Sequence, residues 1–134
     1  KVLGQALKRL KLQRLIKEVE QNRSSRISIT NLGQRKFLKH QFRLLTIEPK
    51  RKWDGKWRIV LFDIPEAQRK IRDALRAKLK ELGFLEFQKS VFILPHPCRD
   101  EINFVINFFD IAEQVYYLEA PIVPDGAFRK HFQL

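Results

Sequence analysis

Lys8, Arg9, Lys11 and Arg14 point away from an apolar stripe of Val2, Leu3, Ala6, Leu7, Leu10 and Leu15, the pattern of a short basic helix. Arg23 and Arg26 follow at the tip and flank of an alternating stretch that reads as a hairpin. Guanidinium and ammonium groups spaced this way can neutralise successive phosphates, each contact releasing condensed counterions. The count supports that chemistry: residues 1–52 hold 15 lysines and arginines against three glutamates, the whole net charge of +12, whereas residues 53–134 hold 12 of each sign. A basic arm thus precedes a neutral body, and the implied partner is nucleic acid. The plain alternative is a basic solvated face without a ligand.

Other chemistry is sparse. His40, His96 and His131 have no partner spacing for a metal or a triad and read as ordinary surface histidines. Cys98 is the single cysteine, which excludes an internal disulfide and a cysteine-based zinc site within one chain. With only Arg99 near it as an activating cation, it reads as a plain loop thiol. Neither GxxxxGK[ST] nor GxGxxG occurs, so no nucleotide cofactor is implied, nor any other cofactor. No run of about 18 apolar residues and no signal-peptide core is present. Membrane insertion and secretion are disfavoured, and a reducing cytoplasm fits best.

These groups need elements to hold them. Across 134 residues, 44% apolar and 31% charged, the composition suits a globular protein. Leu15 to Gln21 and Arg26 to Thr30 alternate as strands around a turn at Asn22 to Ser25, and Asn31 to Ile47 returns to a helical period with Thr30 as its N-cap. Pro49 ends that helix by Glu48, and residues 49–55 read as a linker with Asp54-Gly55 as its turn. Three parts result: an arm at 1–48, the linker at 49–55 and a body at 56–134.

The body opens with a strand at Lys56 to Ile64 and a helix over Glu66 to Leu82, where Ile71, Leu75, Leu79 and Leu82 recur until Gly83 stops it. Phe84 to Pro95 holds one bent strand or a pair around Gln88 to Ser90. A helix over Arg99 to Ile111 and a strand over Val115 to Ala120 complete the series. This order is that of a ferredoxin-like α+β unit, with two helices on one face of an antiparallel sheet. Two helices leave the other face bare, so dimerisation through that face or an edge is expected, with Phe104 and Phe108 available to contribute.

Five motifs then stand in register over Trp53 to Pro97: a WDG-W opening, an FDIPE strand end, an R-x-x-LR helix, an L-GF stop and a Q-SV strand. This stretch closely resembles the central Cas2-like domain of PaaX-type transcriptional repressors, itself similar to the ferredoxin-like, homodimeric Cas2 endonucleases of CRISPR adaptation. More loosely, residues 1–47 resemble the later part of a winged helix-turn-helix, whose earlier helices would precede residue 1. The large C-terminal domain linked with acyl-CoA sensing is absent from the 134 residues, so ligand sensing is not carried over.

The resemblance implies that the helix around Gln5 to Arg14 enters a major groove of double-stranded DNA while Arg23 and Arg26 reach a phosphate or the minor groove. It also puts Asp63 where the Cas2 family places a metal-binding aspartate, one per subunit across the dimer axis. Such a pair would hold Mg²⁺ and activate a water for phosphodiester cleavage. The plain reading of Asp63 is a turn residue before Pro65. The two expectations are therefore a homodimeric, PaaX-like, DNA-binding regulator and, as the alternative, a Mg²⁺-dependent Cas2-type nuclease. Arg69, Arg72, Arg76 and Lys80, spaced 3, 4 and 4, offer a second phosphate ridge, but local ion pairing with Glu66 and Asp73 is the preferred account. Trp53 and Trp57 are expected to pin the linker to the body.

Overall fold

The computed structural model describes residues 16–21 and 24–134, with side chains from residue 30 onward, and divides into two units, 1–44 and 45–134. In the first, β1 (Ile16–Gln21) pairs antiparallel with β2 (Ser24–Ile29), from Ile16 opposite Ile29 to Gln21 opposite Ser24. The second strand therefore starts two residues before the expected Arg26, because Ser24 and Ser25 join the ladder opposite Gln21 and Glu20. Helix α1 (Asn31–Leu44) follows. Thr30 caps it as its type requires: the Gly33 amide donates to Thr30 Oγ1 at 3.0 Å. The helix ends three residues short of Ile47, where β-branched Thr46 and Ile47 approach Pro49 and favour extended backbone.

The second unit runs β3 (Trp57–Phe62), a 3-10 turn (Glu66–Gln68), α2 (Arg69–Glu81), β4 (Leu85–Gln88), β5 (Val91–Leu94), α3 (Arg99–Phe109), β6 (Val115–Ala120) and α4 (Gly126–Phe132). Its sheet has the order β4-β5-β3-β6, every pair antiparallel. Each of α2 and α3 connects strands that are not neighbours, which is the ferredoxin-like topology. Phe84 to Pro95 resolves into a pair, with Lys89 and Ser90 as the turn and an irregularity between Glu86 and Gln88. Gly83 closes α2 with φ +103°, a left-handed backbone open to glycine at no steric cost, and the Phe84 amide reaches back to the Leu79 carbonyl at 3.0 Å.

Strand alternation sorts the sheet into two faces. Val60, Phe62, Phe92 and Leu94 share one face and are buried, as are Leu75 and Leu79 of α2 and Ile102 and Val105 of α3. This is the core. The opposite face carries Trp57, Ile59, Leu61, Ile93, Tyr116 and Leu118. It has a cover that sequence reasoning left out. Helix α4 puts Phe128 edge-on to Trp57 and to Phe87, ring centroids 5.7 and 5.3 Å apart, and Phe132 lies 5.9 Å from Trp57. Cover is confined to that end: Tyr116 and Leu118 stay 60% and 44% exposed. Phe104 and Phe108 stack on one another at 6.3 Å, half-buried.

Candidate functional site

The cations expected on the recognition helix and wing tip, Lys8, Arg9, Lys11, Arg14 and Arg23, lie outside the described residues. Arg26 is placed by its backbone alone, on β2 opposite Val19. Asp63 stands one residue beyond β3 with an exposed side chain, its amide donating to the Gln114 carbonyl at 2.9 Å. Ile64 next to it is buried, and Pro65 leads into the 3-10 turn. Among the described residues no three His, Cys, Asp or Glu side chains converge on a metal-sized site. The expected Mg²⁺ site takes one Asp63 from each of two subunits, and a single chain supplies one of those carboxylates.

The WDG-W-R segment is explained by one buried side chain. Arg58 lies on the core face of β3, 3% exposed, an unusual position for a cation within an apolar strand. Its guanidinium is enclosed. Nη1 and Nη2 fork onto Asp54 at 2.9 and 2.7 Å, Nη1 also donates to the carbonyls of Pro95 at 2.8 Å and Lys56 at 3.0 Å, and Nε faces Glu119 at 3.4 Å. The bidentate bond from Arg58 holds the Asp54 carboxyl down at about 2, and Asp54 in turn raises the guanidinium above its ordinary value. Gly55, at φ +82°, makes the turn that brings Asp54 back over Arg58. Sequence reasoning passed over Arg58; the available signal was a lone Arg inside KWRIVLF.

The tryptophans hold the same corner. The indole N–H of Trp57 donates to Asp125 Oδ2 at 3.1 Å and keeps that carboxyl below its usual range. Arg129 bonds Asp125 at 3.1 Å and lies 4.6 Å over the Trp53 ring, which is itself 4.8 Å from Trp57. The linker residue Trp53 is thereby tied to the body, as expected. Nearby, Tyr117 donates to Glu119 at 2.9 Å, and Cys98 Sγ faces Tyr117 Oη at 3.8 Å. Burial pushes the Cys98 thiol up to about 12, which leaves it unionised and unreactive at neutral pH. His96, half-buried beside this cluster, is lowered by its burial and then by the Arg58 charge.

On α2 the cations are paired with Glu66, as the ion-pair reading expects, and with Glu86 of β4, which local spacing does not show, while Asp73 comes only to 4.0 Å from Arg72. Glu66 meets Arg69 at 3.4 Å and Arg72 at 3.2 Å, and Glu86 on β4 meets Arg76 at 2.8 Å and Lys80 at 2.9 Å. Lys80 first and Arg76 second keep Glu86 below its usual range. Between the start of α2 and the β4–β5 turn lies a cleft of about 340 Å³ lined by Glu66, Arg72, Arg76, Lys89 and Ser90. A second, apolar hollow of about 540 Å³ lies on the partly covered sheet face, between Ile59, Phe87 and Val91 on one side and Ile122, Pro124 and Phe128 on the other.

Residues 45–134 are thus a ferredoxin-like α+β domain with an enclosed arginine at the start of its first strand. Residues 50–130 match the family model described as the PaaX protein central Cas2-like domain, and the chain belongs to that family. Among solved structures it is similar to the uncharacterized protein Rv0674 from Mycobacterium tuberculosis, at 20% identity and a TM-score of 0.44, over 96% of this chain and 50% of that one. The chain thus spans half the length of that structure. No curated protein matches it. Among the described residues no helix is long and apolar enough to cross a membrane.

Proposed function

We propose that the chain is the DNA-gripping and dimerising part of a PaaX-type transcriptional regulator. The observation that carries this reading is the separation of charge: the entire net +12 lies in residues 1–52, ahead of a neutral domain of the PaaX family. In this reading the arm supplies phosphate contacts through Lys8, Arg9, Lys11, Arg14, Arg23 and Arg26, which position the protein on the duplex. The Cas2-like body supplies the two-fold axis. A second copy of the chain is the natural cover for the apolar sheet face around Leu61, Tyr116 and Leu118, which α4 leaves open, and pairing there would set two arms on a roughly palindromic site. Regulation would come from occlusion of DNA in the cytoplasm, without catalysis or cofactor.

Duplex DNA from upstream of its own gene, titrated by fluorescence anisotropy over a salt series, tests the reading. The expected result is binding that weakens steeply with salt, is lost on replacing Lys8 and Arg9 with alanine, and needs a dimer that Leu118→Asp dissociates in light scattering. Mg²⁺-dependent strand cleavage abolished by Asp63→Asn would overturn it in favour of a nuclease.

A further inference from the structure

We infer that the cleft between the start of α2 and the β4–β5 turn is a phosphate-binding site built from Arg72, Arg76, Lys89 and Ser90. Three cations line it with one carboxylate, Glu66, while just outside the lining Glu86 bonds Arg76 and Asp73 lies 4.0 Å from Arg72. Lys89 has no ion-pair partner among the described residues. Arg76 is incompletely satisfied: Nη2 bonds Glu86 at 2.8 Å, but its Nε–H is buried without an acceptor. That Nε–H is closed to solvent, so an oxyanion in the cleft meets it only once the Arg76 guanidinium turns outward and exchanges part of its bond to Glu86. The frame is fixed, because the Ser90 carbonyl accepts the Phe62 amide at 3.1 Å and so anchors the turn to the end of β3.

Glu66 shows what kind of group the cleft takes. Its carboxylate already bridges Arg69 and Arg72, with the Glu66 side chain 70% exposed. An exposed pair of this kind is weak and easily exchanged, so a dianionic phosphate, with more acceptor atoms and more charge, can displace it from Arg72 and engage Arg76 and Lys89 as well. The phosphate has two possible sources, the backbone of DNA or a free phosphate-bearing small molecule. The first source rests on the regulator reading above and the second does not.

The intact chain is titrated with inorganic phosphate while amide and arginine Nε resonances are followed by NMR. Saturable shifts confined to Lys89, Ser90, Arg72 and Arg76 are expected, weakened about tenfold in the Lys89→Ala, Arg72→Gln double variant, as lost charge-assisted hydrogen bonds predict. Glu66→Gln should tighten phosphate binding, a gain that a folding defect cannot imitate. Shifts that do not saturate, or that the double variant leaves unchanged, would overturn the site. A duplex-DNA salt series then assigns the source. A slope lower by about two in the double variant, roughly one per cation removed, identifies the DNA backbone. An unchanged slope with phosphate binding intact identifies the small molecule. If the wild-type chain binds no duplex, the regulator reading falls while the phosphate titration still decides the site.

Discussion

Arg58 and the Arg72–Arg76 pair sit in one domain and make opposite use of the same side chain. Arg58 is enclosed, with its fork on Asp54, Glu119 at its Nε and the Pro95 carbonyl below it, so its donors are spent inside the fold. Arg72 and Arg76 are each 28% exposed, share their carboxylates with other cations, and Arg76 keeps a donor unspent. A guanidinium has five N–H donors, and how many the fold consumes decides whether the residue builds or binds. The closed cluster ties the linker residue Asp54 to β3, the end of β5 and β6, while the open cluster lines a cleft.

The strongest way to break this contrast is to remove Arg58. Arg58→Met takes away the buried partner of an ion pair whose carboxylates, Asp54 and Glu119, are partly exposed, and leaves the Pro95 carbonyl without its donor, which should cost about 2 kcal/mol in urea denaturation. Arg58→Lys should recover only part of that, since an ammonium cannot fork onto a carboxylate. A change below about 0.5 kcal/mol would place Arg58 with the surface cations instead.

Acid sharpens the comparison next. A carboxyl held below its unfolded value contributes stability above that value and loses the contribution as pH falls through the folded one. For Asp54 the window lies between 3.8 and about 2. The unfolding midpoint of the wild type should therefore decline over that range, and Asp54→Asn should start lower at neutral pH and decline less. Equal slopes in the two proteins would show that the fork does not couple to folding.

A third, smaller effect reads the closure of the same cluster. With its thiol pushed up to about 12 and its side chain buried, Cys98 should react with a thiol reagent only when the domain opens, and Arg58→Met should accelerate that reaction at neutral pH. Labelling of native wild type at the rate of an unfolded control would contradict the burial.

What the sequence disclosed follows from how local each signal is. Period and punctuation revealed α2, with Leu75 and Leu79 inward and Gly83 as its stop, and they revealed β6 to the residue. These patterns need no knowledge of the rest of the chain. The βαββαβ order was legible for the same reason. Helix α4 was not, because seven residues beginning at Gly126 hold too few turns to show a period, and its packing rests on Trp57, 71 residues before Phe128. Arg58 was missed because two of its partners, Glu119 and Pro95, are distant in sequence and the near one, Asp54, reads as a turn residue, so the charge reads as an interruption of a strand. The cleft was half visible: the spacing of Arg72 and Arg76 is a helix property, but Lys89 joins them only once β4 and β5 turn back beside α2.

The smallest expected effect is also the one that separates building from binding. Lys89→Ala removes an exposed cation on a two-residue turn that carries no ion pair among the described residues, so the urea midpoint should move by less than about 0.5 kcal/mol. Arg72→Gln should behave similarly, because its partner Glu66 retains Arg69. If either change destabilised the domain as much as loss of Arg58, the cations of the cleft would belong to the framework, and the difference between the two arginine clusters would be one of exposure alone. If both are silent for stability yet alter phosphate affinity, donor closure is the property that distinguishes them, since the two clusters share residue type and domain.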